Sequence, residues 1–364
     1  MDYNYLKKIR SKLLNIYKYA DKYKKKRMAY DFSNFNQLVL VSGFPNLVIP
    51  IEIYDEANCF AYRVYEYLED FEVIADEVID MFKETNFFLA RNAGAINFSK
   101  KDLDDISKEF LLGFSADAYK LYEDLIREKR VFDFEKKYLA GEAYILTESN
   151  LAFIGKNDHE LANTLFPLAT MVHELMHIYV EFFLKNYRYT ATFNSMDGFY
   201  AETIPMYSEL EFYKFLVNNH LCGDSKHFNA NYNDYIRLSY YKRIKYIVEM
   251  ARRDDANVTF FDAKYEISGN TSLEIETNNP VFTYSSNYEK GSLNPFVYAM
   301  SLLDAYKLLE QSDNGDKNII NNYLISLQDP DKLEKDIING YDLSFMRDDI
   351  KRHCDEIIKI YQKK

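Results

Sequence analysis

Only 7 prolines and 11 glycines punctuate this chain of 364 residues, and that scarcity restricts its fold more than any other feature. An all-β protein needs a turn about every 8–12 residues, usually built on glycine, proline or a small polar residue. The spacing of apolar residues points the same way. Three-to-four periodicity predicts helices over roughly 5–27, 60–85, 102–129, 162–186, 200–218, 232–253, 296–311 and 346–362. Between them, β-prone runs predict short strands at Gln37–Val41, Val48–Ile53, Ala143–Leu146 with Ala152–Ile154, and Val258–Ile267. Ser268–Pro280 and the SDNGDKN run after Gln311 read as loops. The fold expected is therefore mainly α with a small sheet.

Composition narrows the function classes. Hydrophobic residues make up 48% and aromatics 16%, with 33 Tyr, 27 Phe and no Trp, ample for a packed core. Cys59, Cys222 and Cys354 lie far apart without CxxC spacing, which argues against a disulfide framework and a thiolate metal site. Net charge is −12, yet residues 1–28 carry ten Lys or Arg against two acids. The acidic remainder disfavours nucleic acid as the main partner, and the basic segment reads as a solvated helix face. The N-terminus lacks the apolar core and small-residue cleavage site of a secretory signal, and no stretch reaches the apolar length that spans a bilayer. A cytoplasmic location and no membrane partner are expected.

The chemistry concentrates in Thr170–Val180, TMVHELMHIYV. His173, Glu174 and His177 form HExxH on a predicted helix. Residues four apart share a helix face, so both imidazoles can converge on one Zn(II), with Glu174 beside them as the base. One zinc per chain is expected, and a catalytic site needs a third protein ligand. Glu181 is eight residues from His173, about 12 Å along a helix axis, too far to share the ion. Glu202 and Glu209, in FYAETIPMYSELEFYKFL, can each fold back to it. Pro205 belongs in a first helical turn, which puts Glu202 at the helix mouth and favours it as the ligand. Glu209, two turns on, suits support of a ligating His or of the substrate. His159, His220, His227 and His353 need no function.

With these residues in view, the chain resembles the oligoendopeptidase F and thimet oligopeptidase family of zinc metallopeptidases, of the gluzincin type. That family carries HExGH and a glutamate ligand 25 residues after the second His, the interval from His177 to Glu202. Its FVAExxSxxxE run is similar to FYAETIPMYSE here, with Glu202 and Glu209 matching the two glutamates. AYILTESNLAFIGKND looks like the strand pair before the metal helix, whose edge strand binds peptide backbone. The resemblance thus implies main-chain contacts at Ala152, Phe153 and Gly155. SLNPFVYAMSLLDAYKLLE resembles the family's aromatic PFYxYxYATGxxAA helix, and YLISLQDPDKLEKDIINGYDLSF its closing segment.

The likeness covers roughly residues 136–364. It suggests an N-terminal mostly helical region, 1–135, and a zinc peptidase region, 136–364, expected as parts of one compact unit. Two departures stand out. Met176 replaces the Gly of HExGH, and the family's late histidine is missing, since no His lies between His227 and His353. Tyr284, Tyr288 and Tyr298 remain in the aromatic stretch, and Tyr288 and Tyr298 are the phenols considered for the oxyanion.

The implied protein is a helical, zincin-like metallopeptidase whose small β-sheet lines the active-site cleft. It would hydrolyse internal bonds of short peptides, with folded proteins excluded and with the cleft opened by a shortened N-terminal half. The alternatives are a carboxypeptidase or aminopeptidase with the same ligands, and a catalytically weak helical peptide-binding protein of the same fold.

Overall fold

A computed structural model describes residues 1–50, 100–134, 141–157, 165–185, 202–219, 221, 301, 304–305, 307–309, 311–315 and 318–326. The expected helices over 60–85, 232–253 and 346–362 and the strand at Val258–Ile267 lie outside the described residues. What is described is mostly helix with one three-stranded sheet. No described helix is long and apolar enough to cross a membrane.

Helices α1 (Tyr3–Tyr19) and α2 (Lys22–Val41) each begin on an aspartate. Asp2 accepts from the Asn4 N–H at 3.2 Å and Asp21 from the Lys24 N–H at 2.7 Å, satisfying amides that a first turn leaves without intrahelical partners. Leu6, Ile9 and Leu13 of α1 and Met28, Phe32, Phe35, Leu38 and Val39 of α2 are buried in one core with Tyr144, Leu146 and Phe153 of the sheet.

The run Gln37–Val41 is thus the last turn of α2 and not a strand. Leu38 and Val39 continue the buried face begun by Met28 and Phe35, and burial outweighs the β preference of Val. Gly43 then stops the helix at φ +81°, with its N–H on the Leu40 carbonyl and that of Phe44 on Val39, a backbone turn suited to glycine. Val48–Pro50 form no strand either. The amide side chain of Asn36 binds both the N–H and the C=O of Ile49, each at 2.7 Å.

The segment expected as one helix over 102–129 is two, α3 (Lys100–Phe114) and α4 (Ala116–Arg127). Ser115 separates them in an extended conformation, and its hydroxyl accepts from the Ala118 N–H at 3.2 Å. Tyr122 of α4 reaches back to donate to Asp104 of α3.

The sheet consists of β1 (Val131–Phe134), β2 (Gly141–Leu146) and β3 (Leu151–Asn157) in the order β1-β3-β2. β1 runs parallel to β3 and β2 antiparallel to it, with Tyr144 opposite Phe153 and Ala143 opposite Ile154. Alternation along β2 turns Tyr144 and Leu146 to the α1–α2 core and Gly141 and Ala143 to the other face. The helix there is α5 (Leu165–Leu184), which packs on β2 and β3.

The β2–β3 connection is a short helical turn, Thr147–Ser149, closed by Asn150 in the left-handed region. Asp31 of α2 accepts from the Glu148 N–H at 3.0 Å, Lys12 donates to the Ser149 carbonyl at 2.9 Å, and Lys24 pairs with Glu148 at 3.2 Å. Asp31 is 1% exposed. Burial raises its carboxyl from 3.8 to about 7; the Glu148 N–H opposes the rise and the Glu148 carboxylate adds to it.

The folded state therefore binds a proton there between pH about 4 and 7 that the unfolded chain has released, so stability falls as pH rises through that window and is flat above it. The whole effect is on the order of 4 kcal/mol at most. Asp31→Asn should flatten the decline, read as denaturant midpoints across the pH range; a variant profile parallel to that of the parent protein would contradict this account.

The described elements belong to two units. The first holds α1 to α5 with the sheet and residues 320–326, and the second holds residues 202–219, 221 and the described positions from 301 to 319. No unit boundary falls at 135–136: β1 and β2 lie on either side of that point, in the same sheet. The second unit contains α6 (Thr203–Asn218).

Candidate metal centre

Helix α5 is buried on several sides, through Val172, Leu175, Met176, Ile178 and Leu184. Thr170, Glu174, His177 and Glu181 form a half-buried polar stripe along it, at offsets of four, three and four residues that keep them on one face. His173 lies at the edge of this stripe, 9% exposed. Met176, which stands where the resemblance has glycine, is fully buried and points into the packing.

The two imidazoles meet. Nε2 of His177 is 3.0 Å from Nε2 of His173, with the rings 4.7 Å apart and 75° from coplanar. Two nitrogens bound tetrahedrally at about 2.0–2.1 Å would be roughly 3.3 Å apart, so the pair needs only a few tenths of an ångström of adjustment to share a zinc ion. This donor set fits zinc.

Glu174 is held by the sheet. Its Oε2 accepts from the backbone N–H of Ala143 at 2.8 Å. Alternation in an antiparallel ladder aims that N–H away from β3, so the contact uses the outer edge of β2. On the opposite face of the strand, the buried Tyr144 donates its hydroxyl to Glu142 at 2.6 Å. Burial, reinforced by the carboxylates of Glu142 and Glu174, holds this phenol well above its usual pKa, so it keeps its proton.

The expected peptide contacts fall on the middle strand. Ala152, Phe153 and Gly155 lie on β3, which is the middle strand and has β1 and β2 on its two sides. β1 pairs with Ile154–Asn157, so Gly155 lies in both ladders, whereas Ala152 and Phe153 pair with β2 alone; the side chains of Ala152 and Phe153 are fully buried. Among the described residues, β1 and β2 are the two edge strands, and β2 is the edge that packs on α5. Sequence reasoning missed Gly141 and Ala143; two small residues opening a strand were the available signal.

In the second unit, Glu202 immediately precedes α6, and its carbonyl accepts the Met206 N–H at 2.9 Å. Pro205 sits in the first turn, as its missing N–H requires. Glu209 lies two turns further along α6 and is half-buried. Tyr284, Tyr288 and Tyr298, and His159, His220, His227 and His353, lie outside the described residues. Comparison with protein-family models, curated proteins and solved structures found no match for this chain.

Proposed function

We propose that this protein is a zinc-dependent metallopeptidase that hydrolyses internal bonds of short peptides. The observation that carries the reading is the His173–His177 pair, with ring nitrogens 3.0 Å apart and Glu174 between them in sequence. The same distance suits a hydrogen bond between the two rings, so the reading leans equally on Glu174 and on the HExxH spacing. His173 and His177 are two of the proposed ligands and Glu202 the third, an acidic side chain at a helix mouth 25 residues beyond His177. Glu209 supports a ligand or the substrate from the same helix.

Zinc bound there would act as a Lewis acid on the scissile carbonyl and the attacking water. The chain's own residues carry the proton. Glu174 takes it from the water and returns it to the leaving amine, while the Ala143 N–H keeps its carboxylate beside the histidines. Tyr288 or Tyr298 would donate to the oxyanion. A short peptide in extended form would present its backbone to a strand edge, which recognises main chain more than side chains.

The test is a fluorescence-quenched peptide of about ten residues blocked at both ends, incubated with protein of known zinc content. Cleavage that stops on treatment with a phenanthroline-type chelator and returns with added zinc is expected. Cutting of unblocked peptides alone would make the protein an exopeptidase. Absence of zinc from protein prepared in zinc-replete medium would remove the enzyme reading altogether.

A further inference from the structure

We infer that the Gly141–Ala143 segment of β2 is the positioning element for Glu174; the inference rests on the peptidase reading for its catalytic consequence. Two contacts carry it. Ala143 donates its N–H to Glu174 Oε2 at 2.8 Å, and Gly141 is what lets strand and helix come that close. A Cβ at position 141 would stand 2.8 Å from Thr170 Cγ2 and 3.3 Å from Glu174 Cγ.

The glycine is not there for backbone freedom. The described glycines with positive φ are Gly43 and Gly315, so Gly141 occupies a conformation open to any residue. What it provides is space. The neighbours have little room to yield, because β2 is anchored by its ladder to β3 and by Tyr144 and Leu146 in the α1–α2 core, and α5 is buried on several faces. A methyl group at 141 must therefore push aside the side chains of Thr170 and Glu174 and lengthen the bond from Ala143. Thr170 and Glu174 are one turn apart on one face, so the same Cβ meets both side chains.

Gly141 and Ala143 act through Glu174 and touch no reacting atom. A displaced Glu174 would still leave the histidines to hold zinc, so the expected signature is a fall in kcat alone. Misplacement of a reacting group by about 1 Å costs up to about 100-fold in rate.

The experiment uses the full chain labelled with 15N-alanine, with the Ala143 signal identified by its loss in Ala143→Ser. Glu174→Gln should move the Ala143 amide proton upfield, because the N–H loses a charged acceptor. Gly141→Ala should move it the same way and lower kcat roughly 10- to 100-fold, with KM and zinc content unchanged. Adding Thr170→Ser to Gly141→Ala removes the methyl that the new Cβ would meet and should recover both readings.

An Ala143 amide that ignores Glu174→Gln overturns the inference, as does a Gly141→Ala protein with parental amide position and kcat. If Gly141→Ala alone does not fold, the combined variant gives the comparison: a parental amide position and kcat there support relief of the clash, and a displaced amide in that folded protein counts against it. If the parent protein binds no zinc and cuts no peptide, the peptidase reading fails while the amide response still decides whether β2 holds Glu174.

Discussion

Glu174→Gln is expected to leave the fold and the zinc content intact and to lower peptide hydrolysis by about 100- to 10,000-fold, the usual contribution of a positioned general base. The substitution is nearly isosteric, and the amide oxygen can still accept from Ala143. What it cannot do is take a proton from water. Zinc by elemental analysis and initial rates on the blocked peptide give the two readings. Cleavage undiminished at equal zinc content would exclude Glu174 as the base and, with it, the proposed division of labour on α5.

The second large effect concerns the metal itself. His177→Ala and Glu202→Ala are each expected to weaken zinc binding by more than about 100-fold, since even residues that only orient a ligand cost about 10- to 100-fold. Activity should disappear in both. Glu209→Gln belongs in the lower range, and Glu181→Ala should retain zinc, because Glu181 is about 12 Å along the helix from His173. Measured by competition with a zinc-sensitive dye, this order separates the proposed ligands from their acidic neighbours. Retention of full zinc affinity by Glu202→Ala would move the third ligand elsewhere in the chain.

The parts of this molecule that were legible in its sequence are those set by local geometry. HExxH places His173 and His177 on one face through helix periodicity alone, and Pro205 marks the start of α6 because a ring without an N–H belongs in a first turn. Ser115 was legible too, as a capping serine followed by Asp117 in the first turn of α4, but the unbroken apolar rhythm of 102–129 concealed it. Gln37–Val41 was misread because its β-branched residues were judged without the burial they share with Met28 and Phe35.

Strand order was beyond local reading. Which strand lies at the edge depends on β1 arriving beside β3 from outside the hairpin, a pairing that no residue of β2 or β3 announces. That pairing puts Gly155 between two strands, while Ala152 and Phe153 pair with β2 alone. The hold of Ala143 on Glu174 was hidden similarly, since a backbone N–H leaves no mark in composition. Gly141 was visible only as a glycine until the strand and α5 were brought together.

The bracing of the β2–β3 turn by α1 and α2 has a consequence for biosynthesis. Lys12 leaves the ribosome 137 residues before its partner Ser149, an interval on the order of ten seconds at ordinary rates of translation. During it, the apolar faces of α1 and α2 have been made while Tyr144, Leu146 and Phe153, which share their core, have not. Until those strand residues emerge, the apolar faces of the two helices have no partner from the sheet to pack against.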